Sequence, residues 1–153
     1  MIIYKTPQEI AVMRKSNQIV AKVLSELKAM IRPGARTRDL DAYAEARARE
    51  LGAVPAFKGY RGYPSSVTVP VGSVDPEARR LIAVAEAAFF KGIEQMKVGN
   101  RISDISHAIQ VYVVSEGFSV IRSFVGHGIG HSPHEEPQVP NFGPPGRGPK
   151  IKE

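Results

Sequence analysis

A repeat constrains this chain more than any other feature. Gly34-Ala35-Arg36-Thr37-Arg38-Asp39-Leu40 returns 65 residues later as Gly99-Asn100-Arg101-Ile102-Ser103-Asp104-Ile105, and Gly52 returns as Gly117 at the same offset. Each copy sits between two helical patterns. Thr6-Pro7-Gln8-Glu9 has the form of a capping box with Pro in the first turn. Ile10, Met13, Ile19, Val20, Val23, Leu24, Leu27 and Ile31 then recur at helical spacing until Pro33-Gly34 stops the run. A second helix is predicted after Thr37, carrying Leu40, Tyr43, Ala44, Ala48 and Leu51, with Gly52 as its stop. In the second copy Asp75-Pro76-Glu77 opens a helix running through Leu81 to about Met96. Val98-Gly99 breaks it, and a helix over Ser103 to Ser115 ends at Gly117.

Strands are expected at Val54 to Phe57, at Val67-Thr68-Val69-Pro70-Val71, and at Phe118 to Val125. The plan is therefore α/β (α+β), with two pseudo-symmetric helix-helix-strand halves at about 1–66 and 67–153 forming a single domain. The function is expected between the halves.

The composition sets the remaining bounds. In 153 residues, 42% hydrophobic content is enough for a folded core. No run has the apolar length of a membrane span, and Met1 to Pro7 lacks the order of a signal peptide. The expectation is a soluble cytoplasmic protein. With no cysteine, any metal must be held by His, Asp, Glu or water. A net charge of +6 allows an acidic partner such as RNA or the ribosome surface, but acidic residues are interspersed and no long basic run occurs.

Chemistry concentrates in Gly126-His127-Gly128-Ile129-Gly130-His131-Ser132-Pro133-His134-Glu135-Glu136-Pro137, which holds three of the four histidines. Imidazoles and carboxylates bind divalent metals or move protons near neutral pH. His127 lies between two glycines at the end of an apolar segment, a place from which a ligand can be held. Pro133 and Pro137 keep His134 out of a helix. An extended loop there can aim its imidazole at a carbonyl whose oxygen gains charge. His131 reads as a solvated loop residue, and His107 as a helix-surface or core residue. Tyr60 and Tyr63, in the turn Gly59-Tyr60-Arg61-Gly62-Tyr63-Pro64, can line an apolar pocket mouth or pack within the turn.

These segments together resemble type I methionine aminopeptidase. The resemblance extends to Ile3-Tyr4-Lys5-Thr6-Pro7-Gln8-Glu9-Ile10 and to Val139-Pro140-Asn141-Phe142-Gly143, so it covers almost the whole chain. It implies a pita-bread fold of two pseudo-symmetric halves. It also implies removal of the initiator methionine from nascent proteins, with water activated by a pair of divalent metal ions (Co, Mn, Fe or Zn). On the same basis His127 is a metal ligand, and His134 is the catalytic residue that stabilises the tetrahedral intermediate. Tyr60 and Tyr63 border the methionine side chain. Peptides with N-terminal methionine, and the ribosome, are the partners implied. Proline-specific aminopeptidases of the same fold match the tyrosine turn less well.

The sequence also departs from the pattern. The resemblance implies two aspartates, one histidine and two glutamates as metal ligands, and the aspartates belong between the Tyr-Pro turn and the Val-Thr-Val strand. Here Pro64-Ser65-Ser66 runs directly into Val67-Thr68-Val69, with a few dozen residues missing, and the glutamates are expected beyond Glu153. Pro133 stands where the pattern has a bulky apolar residue. Metal binding is therefore expected to be weak or absent and the chain inactive or nearly so. The alternative reading is a truncated relative acting as a scaffold or as a peptide- or ribosome-binding module. Loss of later strands reduces the sheet, and its exposed edges predict a homo-oligomer.

Overall fold

The computed structural model describes residues 2–55 and 68–152. They fall into two compact units, Lys5–Asp75 and Pro76–Glu153, with Met1–Tyr4 belonging to the latter. Lys152 Nζ lies 5.1 Å from the centre of the Tyr4 ring, so both ends of the chain meet in that second unit.

The first unit is a helical hairpin. Helix α1, Pro7–Met30, begins with the expected capping box: Thr6 Oγ1 accepts from Glu9 N at 3.2 Å, and Thr6 N donates to Glu9 Oε2 at 2.7 Å. Helix α2 is Thr37–Glu50, with Arg36 in the N-cap position. Among the described residues of this unit Val23 is the buried apolar one. Across the hairpin the Glu26 carboxylate accepts from Arg47 Nε at 2.9 Å, Arg47 Nη2 at 3.2 Å and the Tyr43 hydroxyl at 3.1 Å. The Arg47 hydrogen bonds hold the Glu26 carboxyl below the usual range, while burial together with the bond to Glu26 raises the Tyr43 hydroxyl.

The second unit repeats the hairpin with α3, Pro76–Ile93, and α4, Ile102–Ser115. Val84, Ala88 and Gly92 are buried at i, i+4, i+8 along α3, and Ile105 and Ser106 are buried on α4. Gly92 is where the helices approach closely. A Cβ there would sit 2.9 Å from Ile109 Cδ1 and 3.2 Å from Ile105 Cγ2.

The duplication appears in the backbone as well as in the letters. Gly52 and Gly117 both take positive φ, +80° and +79°. Each follows a helix whose last turn closes by the same bond pair. Ala53 N donates to Ala48 O and Gly52 N to Arg49 O, just as Phe118 N donates to Val113 O and Gly117 N to Val114 O. These are Schellman motifs, in which a left-handed residue lets two amides reach back to the last free carbonyls.

The strand expectations fare differently. Phe118 to Val125 forms no strand. The ladder starts only at Gly126, with β1 Gly126–Gly128 paired antiparallel to β2 Glu135–Val139. A strand needs a hydrogen-bonded neighbour, and among the described residues these two strands make the whole sheet. Val54 and Pro55, and Thr68 to Val71, are likewise not strands; Ala56, Phe57 and Val67 lie outside the described residues. Conversely β2 falls where sequence reading expects a loop.

Candidate functional site

The histidine loop is a short antiparallel hairpin. Gly126 faces Val139, His127 faces Gln138 and Gly128 faces Glu135, with an irregularity between His127 and Gly128. The glycines are needed for strand approach. A Cβ on Gly128 would stand 2.6 Å from Glu136 O and 3.0 Å from Glu135 O, and one on Gly126 would stand 3.1 Å from Val139 O. The space beside His127 is thus filled on one side by the β2 backbone. In the turn, Gly130 N donates to Ser132 O at 3.1 Å and Ser132 N to Glu135 Oε1 at 2.9 Å.

The hairpin brings His127 and His134 together. Their ring centroids are 4.2 Å apart at a tilt of 41°, and both residues are exposed. His127 Nδ1 lies 2.9 Å from Gly128 O. A carbonyl oxygen only accepts, so this contact places the proton on Nδ1 and leaves the Nε2 lone pair for a ligand. His131 is also exposed, on the turn. Tyr60 and Tyr63 lie outside the described residues.

The donor set does not fit a pair of divalent ions. Among the described residues no three His, Asp or Glu side chains converge to hold a metal. Of the residues outside that description, 56–67 contain none of these types and Glu153 is the one carboxylate side chain. Two-metal chemistry needs carboxylates that bridge and fix the ions; among the described residues the two tilted imidazoles have none grouped with them.

Sequence reasoning missed a second polar assembly, which straps residues 143–151 to α4. Asp104 accepts from Arg101 N and from Gly146 N, both at 2.7 Å. Gln110 Oε1 accepts from Gly143 N at 2.8 Å, and His107 Nδ1 lies 3.1 Å from Gly143 O. Gly99 N, Ile102 N and Ile151 N bond to Ile151 O, Pro149 O and Asn100 O. The repeat carried the signal: Asp104 is the counterpart of Asp39, which instead forms exposed ion pairs with Arg36 and Arg38. His107 is accordingly a part-buried structural residue.

Comparison with known proteins places this geometry. Metallopeptidase family M24 matches residues 11–67 and again 56–153. The chain belongs to this family. It is 42% identical to the methionine aminopeptidase of Clostridium perfringens and 38% identical to methionine aminopeptidase 1 of Bacillus subtilis. Either way 99% of this chain is covered, with 77% and 78% of the relatives. The crystal structure of methionine aminopeptidase from Thermotoga maritima superposes with a TM-score of 0.91 at 33% identity, covering all of this chain and 78% of that one. The pita-bread expectation for the fold is met. The internal gap is also visible: the alignment to the Bacillus relative runs over 193 positions, whereas this chain has 153 residues, so at least 40 positions have no counterpart here. The M24 matches divide in the segment where the aspartates are expected. As for membranes, no helix among the described residues is long and apolar enough to cross one.

Proposed function

We propose that this chain is a methionine aminopeptidase-type protein, built for peptides with N-terminal methionine, that keeps the histidine half of the site and turns over little or no substrate. One observation carries the reading. The His127 and His134 rings lie 4.2 Å apart at a tilt, while no carboxylate joins them in a group able to hold a metal among the described residues. The names of the relatives support the substrate class. The internal gap of at least 40 alignment positions supports the loss of ligands. Of the implied ligand set, His127 offers Nε2, and the role read for His134 is an imidazole N–H donated to a carbonyl oxygen. Without fixed carboxylates neither residue generates a nucleophile at neutral pH.

The test is release of free methionine from Met-Ala-Ser in the presence of Co, Mn, Fe or Zn ions in turn, with His127→Ala alongside. Release at the no-protein level for both chains is expected. Metal-dependent turnover that His127→Ala abolishes would show that the chain does assemble a working metal site around His127, and would overturn the proposal of inactivity.

A further inference from the structure

The buried line of α3 runs through Val84, Ala88 and Gly92, where the helix meets α4. A second line runs beside it, about a quarter-turn round the helix at 100° per residue. Ala78, Ile82, Ala85 and Phe89 follow one another at spacings of four, three and four, the rhythm of a seam between helices. Ala78, Ala85 and Phe89 are exposed, Phe89 by 61%, and Ile82 is half-buried. Leu81, Phe90, Ile93 and Met96 extend the exposed apolar surface on either side. Together these side chains leave roughly 500 Å² of apolar surface, the size at which a patch on a soluble protein marks an interaction site.

The order of residues along the seam selects the partner. Small and bulky side chains alternate: the two alanines stand seven apart, and so do Ile82 and Phe89. Run antiparallel to itself about an axis between Ala83 and Val84, the seam sets Ile82 against Ala85 of the second copy and Phe89 against its Ala78. Each bulky residue then enters the space beside a small one, in both directions. A parallel pairing in register would set Phe89 on Phe89 and leave a gap between the two Ala85 methyls. The charges agree. Arg79 and Glu86 border the seam on the side away from α4, seven residues apart. The same antiparallel register brings Arg79 of each copy alongside Glu86 of the other.

We infer that α3 pairs with α3 of a second copy of this chain, antiparallel about a two-fold axis. The face is its own complement in shape and in charge, which is what an isologous interface requires. A lipid surface would use the apolar side chains but not their alternation, nor the acid and base that flank them. The contact lies on a helix rather than on the sheet edges from which sequence reading expects association. It is independent of the reading of the histidine site.

The experiment is sedimentation equilibrium of the full chain without metal or peptide. At about 50 μM the parent should be dimeric. Phe89→Lys replaces an exposed ring, so it should keep its helix content by circular dichroism and yet be monomeric at that concentration. Glu86→Arg places arginine against Arg79 at both ends of the seam and should raise the dissociation constant at least about tenfold. Arg79→Glu added to Glu86→Arg exchanges the two signs and should bring the constant back to within about threefold of the parent. A dimer that Phe89→Lys leaves intact would place association elsewhere, and a swap that restores nothing would rule out this register. Either result overturns the inference. So does a monomeric parent; flotation of that monomer with phosphatidylcholine vesicles would give the face to a lipid surface.

Discussion

Gly128 shows how closely this hairpin is drawn. Its Cα hydrogen points at the β2 backbone, and any Cβ would meet Glu136 O at 2.6 Å, inside contact distance of a carbonyl that cannot swing away. Gly128→Ala therefore has to part β1 from β2. The expected cost is about 1–3 kcal/mol in urea denaturation. The ring contact of His127 with His134 should be lost at the same time, read as a change in their imidazole proton shifts. Gly126→Ala, with its nearest contact at 3.1 Å, should cost less. If both variants match the parent in stability and in imidazole shifts, the close approach is not what the glycines are for. The residue pattern announced glycines beside histidines, and that much was legible. Their reason was not, because a sequence shows that a backbone can come close without showing what comes close.

Among the elements, the four helices could be read almost to the residue, since capping and stopping are local: Thr6 with Glu9, Pro33-Gly34, Gly52 and Gly117 act within one turn of themselves. The strands could not. Phe118 to Val125 has β-prone residues, but a ladder depends on a distant partner, and here the only described partner, β2, pairs from Gly126 onwards. The strap over 143–151 was equally hidden, because Asp104 looks like an ordinary first-turn acid until Gly146 arrives beside it. That strap makes a pH prediction. The amides of Arg101 and then Gly146 stabilise the charged carboxylate and lower its pKa from the ordinary 3.8. The folded state thus binds this proton less readily than the unfolded chain. Its stabilisation is complete above the ordinary value and fades as pH falls through the lowered one. Hydrogen exchange at the Gly146 amide should be slow from neutral pH down to about 4 and accelerate below it. In Asp104→Asn the same amide should be less protected at neutral pH, with no further acid step. A Gly146 amide equally protected in the variant would mean that the strap does not hang on Asp104.

At the scale of the molecule, few apolar residues among those described are buried, and each unit has its own. Val23 is buried in the first unit and Val84, Ala88 and Ile105 in the second, whereas Leu81, Phe89, Phe90, Ile93 and Met96 are all more than 40% exposed. Little apolar area is thus available to offset the conformational entropy of ordering each unit, and stability should be low and local. Ile105→Ala decides how local. The side chain is 9% exposed and packs where Gly92 lets α3 and α4 meet. Truncation should cost about 2–4 kcal/mol, a large share of what such a core supplies. If each unit rests on its own core, native-state hydrogen exchange will show amides of α3 and α4 losing protection while those of α1 and α2 keep theirs. A uniform loss across all four helices would mean instead that the 153 residues unfold as one cooperative domain, whose halves the sequence repeat marks without separating.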